Sequence, residues 1–143
     1  MRLIFYTEHS AEEFSTQNSS LFPEPPQRCP FKDCALPIKA KKHGYYTRYF
    51  VSKTFNGILY IRRYICPFCG RTISMLPAFC LPKYQYSGID IIQMLHELYK
   101  GGLTLKRYVD GLRQYYSAMD RRHINYYKKR ILENRKFIQY GLN

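Results

Sequence analysis

The chain has 143 residues, of which 45% are hydrophobic, and 23 Lys and Arg against 10 Asp and Glu give a formal net charge of +13. This length suits one ordinary domain or two small modules, and the apolar content excludes a disordered chain. The positive charge favours a polyanionic partner, and the alternative is a basic protein without one. Small modules often need a metal or disulfide to be stable, and the five cysteines can provide either.

Residues 1–28 are expected to form a loosely structured N-terminal arm or linker without chemistry of its own. A short strand is predicted at residues 3–6, and a polar stretch then leads into a linker with Pro23, Pro25 and Pro26. Glu8 and His9 interrupt the first apolar patch, so it does not resemble a signal peptide. No apolar stretch approaches the roughly 20 residues that span a bilayer. We therefore expect a cytoplasmic protein without a membrane partner.

Residues 29–86 are predicted to form a zinc ribbon made of β-hairpins. Two β-rich runs, 45–51 and 58–65, lie between two pairs of cysteines. A turn segment separates the runs, and it contains Asn56-Gly57, which is typical of a hairpin turn. In the second run, Tyr60, Arg62 and Tyr64 alternate with Leu59 and Ile61, as in a strand with one packed face.

Four cysteines are the predicted metal ligands. Their pairs are separated by 31 residues and have ligand spacings that zinc sites use: Cys29 with Cys34, and Cys66 with Cys69. Four thiolates would hold one structural Zn²⁺ without an open position for water. Nearby cations would offset the negative charge of this site: Arg28, Lys32, Arg62, Arg63 and Arg71.

The sequence also allows other interpretations of the cysteines. They can form two disulfides or be unrelated buried thiols, although a reducing cytosol disfavours disulfides. Cys80 stands alone and is expected to be a small core residue. His43 is an alternative ligand in place of Cys34.

Residues 87–138 have helical periodicity, and residues 139–143 are expected to be a tail. The first helix is predicted to begin at a capping box, Ser87 to Asp90, and to end at Gly101-Gly102. Its predicted apolar face consists of Ile91, Ile92, Leu95, Leu98 and Tyr99. Thr104 is expected to cap a short second helix. After a turn, Ser117 or Asp120 is expected to cap a third helix. The inward-facing residues of the third helix would be Ile124, Tyr127 and Ile131. The fold class is therefore α+β, a zinc ribbon followed by a three-helix helix-turn-helix.

The segment from Arg63 to Thr72, RYICPFCGRT, resembles the zinc-ribbon and helix-turn-helix proteins of bacterial insertion elements, including the N-terminal regions of transposases. The similarity covers about residues 29–135, and the long first spacing and residues 1–28 depart from that pattern. The chain ends at Asn143, where a transposase would continue into its catalytic domain. The resemblance therefore implies a duplex-DNA-binding protein that acts in transposition control or transcriptional regulation, without strand transfer. A transposase or the transcription machinery is a possible further partner, and a homodimer is possible.

The resemblance places the third helix in the DNA groove. Its groove-facing residues would be Arg121, Arg122, His123 and Asn125, of which the arginines suit guanine and Asn125 suits adenine. Phosphates would contact Lys128, Lys129 and Arg130. The alternative is a solvated basic helix face. A second basic surface, residues 39–42 beside Tyr45 and Tyr46, can follow a nucleic-acid backbone, or its tyrosines can simply pack the hairpin.

Two other functions compete with DNA binding. An enzyme is not expected, because the aspartates and histidines form no catalytic pattern. An RNA-binding or protein-adaptor zinc ribbon is the stronger alternative, because the fold does not dictate the function. An adaptor would expose apolar side chains on its helices, whereas a DNA reader needs Arg121, Arg122 and Asn125 exposed.

Overall fold

The structure is a computed structural model that describes residues 1–80, 85–102, 104–113 and 120–133. These residues form a mixed α+β protein with a four-stranded sheet and three α-helices. The chain divides into two compact units, Met1–Gly88 and Ile89–Asn143, of which the first holds the sheet and the second the helices. None of the described helices is both long enough and apolar enough to cross a lipid bilayer.

One central sheet organises the first unit. Its strands are β1 (Arg2–Phe5), β2 (Lys41–Val51), β3 (Asn56–Ile65) and β4 (Thr72–Pro77), in the spatial order β1-β4-β3-β2. Neighbours β2 and β3, and β3 and β4, are antiparallel, whereas β1 is parallel to β4. The expectation of separate β-hairpins was wrong, because the pairing of β1 with β4 joins both ends of the first unit into a single sheet.

The turn between β2 and β3 lies within the predicted turn segment but ends before Asn56-Gly57, which the sequence assigned to it. Those two residues pair with Val51 and Phe50 and belong to β3. The turn spans Ser52 to Phe55, where the Ser52 amide donates to the Phe55 carbonyl (2.8 Å) and the Phe55 amide donates to the Ser52 hydroxyl (2.9 Å). The Phe55 ring covers Gly57, where an added Cβ would lie 2.8 Å from it. Gly57 therefore permits a close ring contact.

A β-bulge near the start of β2 turns one lysine toward the opposite face. Lys42 pairs with Tyr64 and Tyr45 pairs with Arg62, so the register of the two strands shifts between these pairs. Gly44 lies in this bulge with φ +71°, a left-handed conformation that glycine adopts without strain. Because side chains alternate along a strand, the extra residue places Lys42 on the face that carries Tyr45, Arg62 and Tyr64.

Residues 1–28 are not a loosely structured arm. Two short 3-10 helices, Glu12–Ser15 and Ser19–Leu21, follow β1. Phe14 is fully buried, and its ring lies 5.2 Å from the ring of Phe22 and 5.5 Å from that of Phe79. Leu21 belongs to the same core. The prediction failed because these isolated apolar residues, set among polar ones, contribute the central side chains of the core.

The second unit contains α1 (Gly88–Lys100), α2 (Leu105–Leu112) and α3 (Arg121–Glu133). Helix α1 begins one residue after Ser87 and is followed by Gly102 in a left-handed conformation, with φ +58°. Thr104 caps α2, as predicted, by accepting a hydrogen bond from the Arg107 amide (3.4 Å). Asp120 caps α3 by accepting from the Arg122 amide (2.7 Å). Ser117, the predicted turn at 114–118 and the tail at 139–143 lie outside the described residues.

The buried face of the helices matches the predicted periodicity only in part. The buried apolar residues are Ile91, Met94, Leu95, Tyr108, Val109, Leu112, Ile124 and Tyr127. Ile92 and Tyr99, which the sequence placed on the inner face of α1, are 62% and 61% exposed. Met94 occupies the inner face between Ile91 and Leu95 instead, since residues three and four apart share one side of a helix. The side chain of Ile131 lies outside the described residues.

Candidate metal centre

The first cysteine pair lies in a short hairpin, here called knuckle 1 (residues 28–37). The Cys29 amide donates to the Leu36 carbonyl (2.9 Å), and the Cys34 amide donates to the Phe31 carbonyl (3.0 Å). Ala35 follows Cys34 with φ +47°, the only non-glycine residue with positive φ in the described chain. Arg28 donates to the Ala35 carbonyl (2.8 Å). These bonds hold a backbone bend that turns Cys34 back toward Cys29.

The second pair lies in an equivalent bend between β3 and β4, here called knuckle 2 (residues 66–71). The Cys66 amide donates to the Arg71 carbonyl (3.1 Å), and the Gly70 amide donates to the Cys66 carbonyl (2.9 Å). Gly70 has φ +67° and immediately follows Cys69, as Ala35 follows Cys34. Both knuckles therefore use one left-handed residue after their second cysteine.

The two knuckles bring all four predicted ligands together in what we call the cysteine cluster. Its sulfurs, from Cys29, Cys34, Cys66 and Cys69, lie within 4.8 Å of one another. The Sγ–Sγ distance is 3.8 Å from Cys29 to Cys69 and 3.9 Å from Cys34 to Cys66. A regular tetrahedron with metal–sulfur distances of about 2.3 Å has edges of about 3.8 Å. The cluster therefore has the size needed to hold one metal ion.

The same distances exclude disulfides in this arrangement. A disulfide has an S–S distance of about 2.05 Å, and the five cysteines are all free thiols. Cys29 and Cys66 are buried, whereas Cys34 and Cys69 are partly exposed. Burial raises the pKa of Cys29 to about 12, so a metal must displace a firmly held proton from this sulfur.

Arg71 joins the two knuckles. Its guanidinium donates to the Asp33 carboxylate (2.7 Å) and lies over the Phe31 ring, 4.0 Å from the centroid. The same guanidinium, followed by the backbone amide of Arg71, lowers the pKa of Cys69 to about 6. Arg71 thus favours the thiolate form of one ligand while holding the partner knuckle in place.

The other cations expected to surround the sulfurs have different roles. Arg28 bonds a backbone carbonyl, as described above, and Lys32 is exposed. Arg62 stacks on two tyrosine rings of the sheet, those of Tyr45 (4.8 Å) and Tyr64 (5.7 Å). Proximity in sequence correctly placed Arg71 near the sulfurs. It could not show that Arg71 acts on a cysteine whereas Arg28 and Arg62 have other partners.

The two residues that the sequence left open as ligands do not belong to the cluster. Cys80 is fully buried in the core of the first unit, where burial raises its pKa to about 12. It is therefore a core residue, as expected. His43 is exposed in the bulge of β2 and is not among the grouped ligand residues of the described chain.

The residues predicted to contact DNA lie on α3. Arg121, Asn125, Lys128 and Lys129 are exposed, and the Arg122 side chain is 92% exposed. Arg122 donates from Nη2 (2.7 Å) and Nε (3.0 Å) to the Asp120 carboxylate, and His123 is partly buried beside the same group. Arg130, also partly buried, lies 5.9 Å from the centroid of the Tyr126 ring. The sequence analysis did not predict the ion pair between Arg122 and Asp120, although an arginine two positions after a helix-capping aspartate is a local signal of it.

No protein-family model, curated protein or solved structure matches the chain.

Proposed function

We propose that this protein is a non-enzymatic, duplex-DNA-binding protein of mobile-element type, in which a structural zinc ribbon supports a helix-turn-helix. Zinc is the proposed ion because a tetrahedral site of four thiolates suits it best among common cellular metals. All four positions are taken by protein ligands, so no position is open for a water molecule or a substrate. Its role is to fix the two knuckles and the sheet between them.

The helix-turn-helix proposal depends on α2 and α3. Helix α2 is short, and α3 begins at an N-terminus that the Asp120 carboxylate caps. The observation that carries the proposal is the division of α3 into two faces. Ile124 and Tyr127 are 1% and 5% exposed, whereas the basic side chains at its start and middle lie on the exposed face. A recognition helix needs this arrangement, with its first turns reaching base edges.

The side chains on α3 are suited to different parts of DNA. Arg121 and Asn125 are the proposed base contacts, because both are exposed near the helix start. Arg122 is held by Asp120 and is proposed to reach DNA only after leaving that carboxylate. Lys128 and Lys129 lie further along the helix and are proposed to bind phosphates. The role in transposition control or transcriptional regulation follows from the resemblance of the second knuckle and the helices to insertion-element proteins.

The test is a binding titration with duplex DNA, single-stranded DNA and structured RNA at several salt concentrations. Duplex should bind most tightly, with a log–log salt slope of about −5 if about six phosphates are contacted. Arg121→Ala should weaken duplex binding, whereas Lys100→Ala, an exposed residue at the end of α1 with the same charge change, should not. Equal affinity for all three polymers, or no binding, would contradict the proposal.

A protein adaptor is a second candidate because one observation favours it. Helix α1 exposes three large apolar side chains, those of Ile89 (70%), Ile92 (62%) and Tyr99 (61%). Scattered apolar residues are normal on surfaces, but residues 89, 92 and 99 lie along one side of the helix. A double substitution, Ile89→Ser with Ile92→Ser, separates the candidates. It should leave DNA affinity unchanged if α3 is the functional surface.

A further inference from the structure

The first unit contains a cavity of about 500 Å³ away from the cysteine cluster. We call it the Arg62 cavity. It lies between residues 19–25, which include the second 3-10 helix, and residues 39–42 at the start of β2. Its polar and charged lining residues include Ser19, Glu24, Lys39, Lys42 and Arg62, and its apolar wall includes Phe22 and Tyr64.

Arg62 is the unusual member of this lining. It is only 7% exposed, and its guanidinium stacks on the rings of Tyr45 and Tyr64. Its Nε is buried without a hydrogen-bond partner, and the described part of the chain gives its guanidinium no ion pair. Burying a charge in this way is costly unless an anion compensates it. The fold therefore holds a rigid, uncompensated cation at the wall of a cavity.

The bulge in β2 brings a second cation to the same place. Lys42 shares a face with Arg62 only because the extra residue beside Gly44 shifts the alternation of β2. Lys39 also lines the cavity, and Glu24 is the acidic residue in its described lining. Three cations against one carboxylate leave a positive cavity, with the Ser19 hydroxyl as an additional donor.

We propose that the Arg62 cavity binds a phosphate group. The planar guanidinium matches two phosphate oxygens, and stacking on two rings fixes its orientation before binding. Lys42 and Lys39 supply further positive charge at the cavity wall. A backbone phosphate of bound DNA is the proposed source, and this identification of the source rests on the proposed function. The cavity would thus add a sheet contact to the DNA contacts of α3.

The direct test uses the zinc-loaded 143-residue chain and NMR of arginine Nε–H groups, with inorganic phosphate as the first probe and a short duplex as the second. The Arg62 Nε–H signal should shift saturably with each probe, and sodium chloride at matched ionic strength should not reproduce the shift. Arg62→Lys, which assigns the signal, should weaken phosphate binding roughly tenfold. If neither probe shifts the Arg62 Nε–H signal saturably, the proposal is overturned.

Neighbouring lysines supply a matched pair of variants that leaves the buried arginine intact. Lys42 faces the cavity, whereas Lys41 pairs with Ile65 and lies on the opposite face of β2. Lys42→Gln should weaken phosphate binding roughly twofold to fivefold, and Lys41→Gln should leave it unchanged. Equal effects of the two substitutions would show that general charge, and not this cavity, attracts phosphate, and would overturn the proposal.

The two probes separate this proposal from the proposed function. If inorganic phosphate binds at Arg62 but duplex DNA does not bind the protein, the cavity stands as a site for a small phosphate compound and the proposed function fails. If duplex binds through α3 while the Arg62 signal is unmoved and Lys42→Gln has no effect, the cavity proposal fails and the proposed function survives.

Discussion

Arg71 and Asp33 connect the two knuckles of the metal centre, with the guanidinium donating to the carboxylate at 2.7 Å. The two residues are 38 positions apart and lie beside different cysteine pairs. The Asp33 side chain is exposed and that of Arg71 is partly exposed, so the direct contribution of this ion pair to stability is small. The importance of Arg71 lies in the second bond that it makes, to Cys69, because this bond favours the thiolate that a metal requires.

Arg71→Gln should make the metal easier to release by acid. Arg71 lowers the pKa of Cys69 to about 6, so that its sulfur stays deprotonated at lower pH. Without Arg71 the pKa rises, protons compete better with the metal, and the release midpoint moves to higher pH. A metal-sensitive dye can follow release during acidification. Lys32→Gln, with the same loss of charge in knuckle 1, should leave the midpoint in place; an unchanged midpoint in Arg71→Gln would refute this role.

Ala35→Gly should stabilise the protein, whereas Gly70→Ala should destabilise it. Both positions have positive φ, which costs a residue with a Cβ about 1 kcal/mol or more. Glycine at position 35 removes this cost but adds flexibility to the unfolded chain, for a net gain of about 0.5 kcal/mol. No atom lies within 4 Å of a Cβ added at Gly70. Gly70→Ala should therefore lower the free energy of unfolding by about 1 kcal/mol through backbone strain alone. Urea unfolding of the metal-loaded protein measures both; changes of the same sign would contradict the left-handed geometry.

Gly44→Ala should destabilise the bulge of β2 by about 1 kcal/mol, because φ is +71° there and the space around a new Cβ is open. Gly44→Asn should cost less, since Asn tolerates the left-handed region better than Ala does. The free energy of unfolding, measured with urea, should be highest with Gly at position 44, lower with Asn and lowest with Ala. Equal stability of the Asn and Ala variants would argue against a left-handed residue in the bulge.

Arg122→Gln should raise the pKa of Asp120. The Arg122 guanidinium, followed by the backbone amides of Arg122 and His123, holds the pKa of this carboxyl well below its ordinary value of 3.8. The carboxylate therefore stabilises α3 fully above that ordinary value, and this contribution is lost as the pH falls through the lower pKa of the folded state. NMR titration of the Asp120 carboxyl measures the shift. A pKa at the ordinary value in the unsubstituted protein would contradict the described ion pair.

Arg121→Ala and Lys128→Ala should change DNA binding in different ways. Loss of a base contact at Arg121 should cost about 1–3 kcal/mol and relax the preference at one base position. Loss of a phosphate contact at Lys128 should weaken binding to all sequences and reduce the salt slope by about 0.9. Binding assays with a selected site and its single-base variants separate the two. Uniform weakening by both substitutions would point to a nonspecific surface.

The sequence predicted the grouping of the four cysteines correctly, because cysteines a few positions apart within each pair are a local signal of a shared site. It also located α2 and α3, where Thr104 and Asp120 act through bonds to residues two or three positions ahead. The sheet was less predictable. Residues Arg2 to Phe5 pair with β4, which begins only at Thr72, and no local pattern identifies such a distant partner.

The buried state of Arg62 was hidden for the same reason. In the sequence Arg62 appeared as one of several cations near the cysteines, but its burial depends on Tyr45 across the sheet. Phe14 was likewise hidden in a polar segment, although it lies at the centre of an aromatic cluster. In both cases the environment is made by residues distant in the chain.

The most direct test of the account is metal analysis of the reduced 143-residue chain, combined with cobalt substitution. We predict one zinc ion per chain and a cobalt absorption spectrum typical of tetrahedral coordination by four thiolates. Replacing any member of the cysteine cluster with serine should change that spectrum, whereas Cys80→Ser should not. A protein that contains no stoichiometric metal and keeps its fold after chelation under reducing conditions would contradict the account.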